Sequence, residues 1–206
     1  MKDSLNIQSF LEEGESIPVA DVRSPSEYIQ GHIPGAINIP LFSDSERKEV
    51  GTIYKHSGRE EAIFLGFEIV GAKYSLLLDE FLLKAAEGKM LLYCWRGGMR
   101  SGTLAWLLRK NGLYTRVLKG GYKSYRRFLR NLLSENFTFH ILGGMTGSGK
   151  TGILREMKKM GQQVIDLEAI ACHKGSSFGA LGEEKQPTTE QFENNLFSEL
   201  SKMDRN

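Results

Sequence analysis

The sequence predicts an α/β protein: a parallel sheet flanked by helices, followed by the start of a second α/β unit built on a phosphate-binding loop. Three observations predict it. Short apolar runs such as "KMLLYC" alternate with segments of helical spacing. Glycine and proline turns separate these segments. A G-x-x-x-x-G-K-[ST] match at 144–151 falls between an apolar run and a helix-like stretch.

Taken in order, "SIPVADVRS" reads as a strand ending at Ser24-Pro25. The following "SEYIQGHIPG" is a short helix, with Ser24 as cap, proline at the first helical position and Glu27 placed for a capping box. "AINIP" is a second short strand, and "DSERKEVGTIYKHSGREEAIFLGFEIV" gives helical stretches broken near Ser57-Gly58. "GAKYSLLLDEFLLKAAEG" has helical spacing and a terminal glycine. "KMLLYC" suits a central parallel strand buried on both faces. A helix "RSGTLAWLLRKNG" and a strand "TRVLKGG" follow. These elements define a first domain over 1–132. In the second, 136–206, "FTFHIL" is a predicted strand, then come the glycine-rich loop, a helix to Gly161, a strand in "QQVIDL" and a polar tail expected to lack support. About 55 residues after the loop are too few to complete a nucleotide-binding sheet, so an incomplete second domain in a C-terminally truncated chain is expected.

Composition bounds the function. The chain has 206 residues, 40% hydrophobic and 25% charged, with 5 prolines. It shows no membrane-spanning run and no signal-peptide pattern at the N-terminus. Two cysteines make no disulfide framework, and a cytoplasmic location is expected. The net charge of +2 is unevenly spread. Between Gly88 and Ser134 there is no acid, yet 11 of the 27 basic residues fall there. Such a field suits a polyanion. Its candidates for nucleic-acid contact are Arg109, Lys110, Arg116, Lys119, Lys123, Arg126, Arg127 and Arg130, interleaved with Trp95, Trp106, Tyr114, Tyr122, Tyr125 and Phe128. The plainer alternative is solvated helix faces with the aromatics turned into the core.

Cys94 ends the central strand, where open parallel sheets bind ligands. Gly97 and Gly98 let successive N–H groups converge as an anion nest, the next helix adds its positive end, and Arg96 and Arg100 add charge. This supports a nucleophilic or chalcogen-carrying cysteine over a packed one. In the second loop, Gly144, Gly147, Ser148, Gly149, Lys150 and Thr151 are expected to hold a di- or triphosphate, with Mg²⁺ possible at Thr151. Asp166 reads as a helix cap more readily than as a metal-side acid. Cys172 and His173 lack companions at metal-site spacing, so no metal site is expected. His140 falls in the predicted strand, and His56 has no evident partner.

"DVRSPSEYIQGHIPGAINIP", "LLYCWRGGMRS" and "VLKGGYKSYR" resemble the rhodanese family over about the first 130 residues. Together with the following P-loop, here P-loop NTPase-like, and "DLEAIACHKGSSFG", the chain resembles the tRNA 2-selenouridine synthase family. That resemblance implies a transferase replacing sulfur by selenium at C2 of the wobble 2-thiouridine of tRNA. It further implies an S-geranyl intermediate, selenophosphate and geranyl diphosphate as substrates, and contact with the anticodon arm. Cys94 is then the chalcogen carrier, Arg96 and Arg100 pair with selenophosphate, and the P-loop grips a diphosphate. No tightly bound cofactor is expected. Asp21 and Arg23 brace the cysteine loop, and His32 fixes a turn. A rhodanese-type sulfurtransferase, a non-catalytic tRNA- or diphosphate-binding fragment, and a C-x5-R cysteine phosphatase using Cys94 and Arg100 remain alternatives.

Overall fold

The computed structural model describes residues 3–134, 137–145, 147–176 and 179–203. Asn136, Thr146, Ser177 and Phe178, which belong to stretches singled out in the sequence, lie outside the described residues. The chain divides into two compact units, Met1–Phe128 and Leu129–Asn206.

The first unit opens with β1 (Ser4–Leu5), α1 (Ile7–Gly14) and β2 (Val19–Asp21). The helix α2 (Pro25–Gln30) starts as its sequence predicts. Proline stands at the first helical position, and the Glu27 carboxylate accepts from the Ser24 N–H at 3.1 Å. After β3 (Ile37–Asn38) come α3 (Asp44–His56) and α4 (Arg59–Lys84). They are separated at Gly58, whose φ of 105° is open to glycine and strained for other residues. Then follow β4 (Lys89–Tyr93), α5 (Met99–Lys110), β5 (Tyr114–Leu118) and α6, which spans Gly121–Leu133.

All five strands pair in parallel in the order β1-β5-β4-β2-β3. Met90, Leu91, Leu92 and Tyr93 of the central β4 have no exposed surface, as the unbroken apolar run "KMLLY" predicts for a strand covered on both faces. From β2 the chain moves outward to β3, and from β4 it moves the opposite way to β5. The switch point therefore lies beyond the carboxyl ends of β2 and β4, where Ser24 and Cys94 emerge.

Two devices fix that end of the sheet. The first is an ion pair between Arg23 and Asp21, whose side chains are 1% and 0% exposed. Arg23 Nη2 donates to Asp21 Oδ2 and to the Gly31 carbonyl, each at 2.6 Å. Its guanidinium lies 4.0 Å from the centre of the Tyr122 ring. Burial alone would lower the Arg23 pKa, but the hydrogen bonds and charge of Asp21 outweigh it, and the net direction is up. The second device joins the Cys94 loop to the Gly120–Gly121 turn. Tyr122 N–H donates to the Cys94 carbonyl at 2.9 Å and Lys123 N–H to the Trp95 carbonyl at 3.0 Å. Gly97 and Gly121 both have positive φ. A Cβ on Gly121 would overlap the Cys94 carbonyl and the Gly97 nitrogen; one on Gly97 would overlap the Leu118 carbonyl.

The second unit corrects several expectations. Residues 137–142 form no strand, and neither do residues 162–165. An apolar strand needs a neighbour to accept its backbone hydrogen bonds, and the described residues provide none there. His140 is consequently exposed rather than buried. The helices α7 (Lys150–Lys159) and α8 (Leu167–Ile170) do form, and Asp166 caps α8 through Ala169 N–H at 3.0 Å. The polar tail expected to lack support contains α9 (Thr189–Leu200). Thr188 caps it through Gln191 N–H at 3.0 Å, and its Phe197 and Leu200 are buried. Among the described residues no helix is long and apolar enough to cross a membrane.

Two outcomes are expected from these packings. Asp21→Ala leaves the Arg23 charge buried without its partner and destabilises the first unit by about 3–5 kcal/mol, read from denaturant unfolding. Wild-type stability would remove the pair from its structural role. Gly121→Ala and Gly112→Ala both place alanine at positive φ, but a Cβ on Gly112 meets nothing within 4 Å. The former is expected to lose clearly more stability than the roughly 1 kcal/mol of backbone strain set by the latter. Equal losses in the same unfolding measurement would refute the interlock.

Candidate functional site

β4 delivers Cys94 to the carboxyl end of the sheet, where it is 3% exposed. Its Sγ lies 3.2 Å from the hydroxyl of Ser101, itself fully buried in the first turn of α5. Between them runs the loop Trp95-Arg96-Gly97-Gly98. The carbonyl groups of Cys94 and Trp95 accept from the Tyr122 and Lys123 N–H groups at the start of α6, and that of Gly98 accepts from the Gly102 N–H. Among the described residues, the backbone N–H groups of residues 95–101 make no backbone hydrogen bond. They and the amino end of α5 are donors without a backbone partner on the segment that follows the buried sulfur.

The predicted anion ligands fare differently. Arg96 is exposed and lines the cleft into which Cys94 faces. Arg100 lines it as well, but its guanidinium is held by Glu27, with Nη1 2.9 Å from Oε2. Arg100 therefore shares its guanidinium with Glu27, and only its remaining donors are open to an anion. Burial alone would raise the Glu27 pKa. The hydrogen bond and charge of Arg100, with the Ser24 N–H and Arg47, outweigh burial and leave it lowered. Glu27 is thus a charged member of the site, although its sequence signal was only that of a helix cap. Ser101 was also missed, despite closing the "YCWRGGMRS" stretch; a hydroxyl one helical turn into α5 is the signal that pointed to it.

Asp21 and Arg23 stand behind the loop. The Arg23 guanidinium lies 5.8 Å from the Trp95 ring centre, so the pair reaches the cysteine loop through aromatic packing. Tyr93 accepts from the Ile33 N–H at 3.1 Å, and burial followed by the Asp21 charge pushes its pKa well up. His32 stacks on Tyr28 at 3.8 Å, and its Nδ1 lies 3.0 Å from the Tyr28 carbonyl, in keeping with a turn-fixing part. Burial lowers its pKa.

A cleft of about 1070 Å³ opens from Cys94 toward α3 and α4. Its walls include Phe42, Val50, Ile63, Phe67 and Leu104. None of Arg109, Lys110, Arg116, Lys119, Lys123, Arg126, Arg127 and Arg130 lines it. Arg109 pairs with Asp3 at 3.5 Å and donates to the Thr115 carbonyl, while Arg116 pairs with Glu13. Arg109 and Lys110 end α5, at the opposite end of the sheet from the cysteine. Tyr122 and Tyr125 are buried and cannot stack on a base. The plainer alternative thus holds for Tyr122 and Tyr125, while Trp106 and Tyr114, 53% and 49% exposed, stay on the surface.

In the second unit, Gly147 and Gly149 have positive φ, and Gly149 precedes α7. Lys150 Nζ donates to the carbonyl oxygens of Gly144 and Met145, at 2.9 and 3.1 Å. The ammonium group is thus folded over its own loop, which Ser148 completes. Thr151 follows it in the first turn of α7 and is exposed.

Comparison with known proteins agrees with this division. A model of the rhodanese-like domain matches residues 6–128, and one of the tRNA 2-selenouridine synthase AAA domain matches residues 137–206. The tRNA 2-selenouridine synthase of Nitrosomonas eutropha is 40% identical over 194 residues, covering 92% of this chain and 50% of that protein. That of Bdellovibrio bacteriovorus is 43% identical over 195 residues, covering 90% of this chain and 50% of its own length. The chain therefore spans about half the length of the curated relatives it matches. The crystal structure of the N-terminal domain of an ATP/GTP-binding protein from Clostridium difficile 630 superposes with a TM-score of 0.53 at 42% identity, over 61% of this chain and 98% of that one. With the cysteine loop at the switch point of a five-stranded parallel sheet, the chain belongs to the rhodanese-like family, in the form similar to tRNA 2-selenouridine synthases.

Proposed function

We propose that the chain is the rhodanese-bearing part of a tRNA-modifying transferase that replaces sulfur by selenium at C2 of a wobble 2-thiouridine, with Cys94 as the residue through which the chalcogen passes. The observation that carries this reading is the cradle: a buried sulfur, the Ser101 hydroxyl at 3.2 Å, and a run of uncommitted N–H groups. A carried chalcogen is Cys94–S–Se⁻, whose charge rests on the terminal atom. Donors aimed at that position stabilise the loaded state more than the empty one.

Electron balance constrains the loading step. Selenophosphate holds selenium at the selenide level, and cleavage of its P–Se bond by water gives phosphate and selenide. Joining selenide to the Cys94 thiolate removes two electrons, so an acceptor of the disulfide class takes them and is released as two thiols. Selenium then adds to C2 of the S-geranylated base and the geranylthiolate leaves; one thiol cleaves the S–Se bond, freeing the selenylated base and leaving Cys94 in a mixed disulfide, which a second thiol reduces with release of a disulfide. Arg96 is placed to meet the phosphoryl group, and Arg100 joins it through the donors that Glu27 leaves open.

The P-loop supports a separate diphosphate site. Its Lys150 is the group that would exchange its own carbonyl partners for the oxygens of geranyl diphosphate. Thr151 is the residue that would hold Mg²⁺, which when bound supplies charge neutralisation at a phosphate.

Two measurements test the reading. Intact-mass analysis after incubation with selenophosphate and a disulfide is expected to show one selenium on the wild-type chain and none on Cys94→Ser; selenium on the variant would sink the carrier assignment. Lys150→Ala is expected to abolish binding of geranyl diphosphate in calorimetry while leaving selenium loading of Cys94 intact. Unchanged diphosphate affinity would remove the P-loop from that role.

A further inference from the structure

Most of the basic side chains that line the Cys94 cleft come from outside the basic segment of the sequence. Six cationic side chains line the Cys94 cleft, Arg47, Lys48, Lys55, Arg59, Arg96 and Arg100, against two carboxylates, Glu27 and Asp44. Both carboxylates are committed. Glu27 holds Arg100 and the Ser24 N–H, and Asp44 accepts from the N–H and hydroxyl of Ser26. Lys48, Lys55, Arg59 and Arg96 are exposed, so their charge faces outward around an apolar interior. Trp95 and Tyr54 also line the cleft, 39% and 59% exposed.

Cys94 lines this cleft and is only 3% exposed. A base stacked within an RNA cannot reach a sulfur so little exposed; it has to leave its stack and enter, while its backbone stays outside. The cleft meets both needs. At about 1070 Å³ it exceeds what a small inorganic donor fills and admits a whole nucleoside. Its cations stand where the flanking phosphates would remain.

Resting on the tRNA reading above, we propose that the cleft between α3, α4 and the cysteine loop is the entry site of the reacting nucleotide. The extruded base passes into the apolar interior beside Trp95 and Tyr54. Lys48, Lys55, Arg59 and Arg96 hold the phosphates on either side of it. The partner is single-stranded RNA, recognised by stacking and backbone charge. This moves the RNA surface from α5 and α6, where the sequence places it, to α3 and the start of α4.

The test uses the 206-residue chain and a labelled anticodon stem-loop RNA carrying 2-thiouridine at the wobble position, with Kd measured across a salt series. Lys48→Gln/Lys55→Gln is expected to lower the slope of log Kd against log salt by about 1.4, at roughly 0.7 per lost phosphate contact. Its binding at 0.1 M salt weakens on the order of tenfold. Lys123→Gln/Arg127→Gln in α6 is expected to keep the wild-type slope. The reverse pattern, with the α6 variant losing slope and the α3 variant retaining it, overturns the proposal and leaves the tRNA reading standing. Wild-type protein that binds no RNA overturns both. An independent readout does not depend on the lysine variants: in a Trp106→Phe background, emission from Trp95 is expected to be quenched by the RNA. Unchanged emission at saturating RNA overturns the placement of the base.

Discussion

The buried pair between Arg23 and Asp21 is the interaction on which the rest of the site depends. Two full charges inside a protein are costly unless each meets the other in good geometry and its remaining hydrogen-bonding groups are used. Here they are used. Asp21 accepts from the Arg23 backbone N–H as well as from its guanidinium, and Arg23 spends a further donor on the Gly31 carbonyl. Asn38 adds two bonds, to the carbonyl groups of Asp21 and Arg23, tying β3 to the same point. The pair therefore fixes the end of β2, the α2–β3 turn and the orientation of the surrounding aromatics together. Tyr122 lies against its guanidinium, and Tyr122 N–H holds the Cys94 carbonyl. One buried cation thus sets the platform under the cysteine loop.

What the platform achieves is a division of backbone groups. The carbonyl oxygens of Cys94 and Trp95 are drawn toward α6, and the N–H groups of residues 95–101 make no backbone hydrogen bond. Such a division requires the loop and the Gly120–Gly121 turn to approach more closely than side chains permit, which explains why glycine occupies both Gly97 and Gly121. Conformational freedom and close packing are separate demands, and these two positions face both.

The same physics explains what was legible in the sequence. Strand β4, the α2 cap and the cysteine loop were readable because their signals are local: an unbroken apolar run, Ser-Pro-x-Glu, and glycines beside a cysteine. The first strand, two residues long, has no periodicity to read, and α1 and α6 were not assigned. The P-loop strands failed for a different reason. "FTFHIL" carries a good strand signal, but a strand is made by its neighbours. The α3–α4 cleft was invisible because its walls come from segments distant in sequence from Cys94. Charge counting along the chain misled in the same way. Arg109 and Arg116 belong to the acid-free segment, yet they meet Asp3 and Glu13, which lie more than a hundred residues earlier.

Glu27 also separates the two chemistries that the spacing of Cys94 and Arg100 permits. A phosphatase needs an acid able to protonate the leaving oxygen. Glu27 lines the cleft and is the obvious acid, but its partners lower its pKa from the ordinary value and keep it ionised at neutral pH. An ionised carboxylate cannot serve as the proton donor. Chalcogen transfer has no such requirement, because the departing thiolate or phosphate leaves as an anion that the neighbouring N–H groups and cations stabilise. The Glu27–Arg100 pair thereby removes Glu27 as the proton donor that a phosphatase would need.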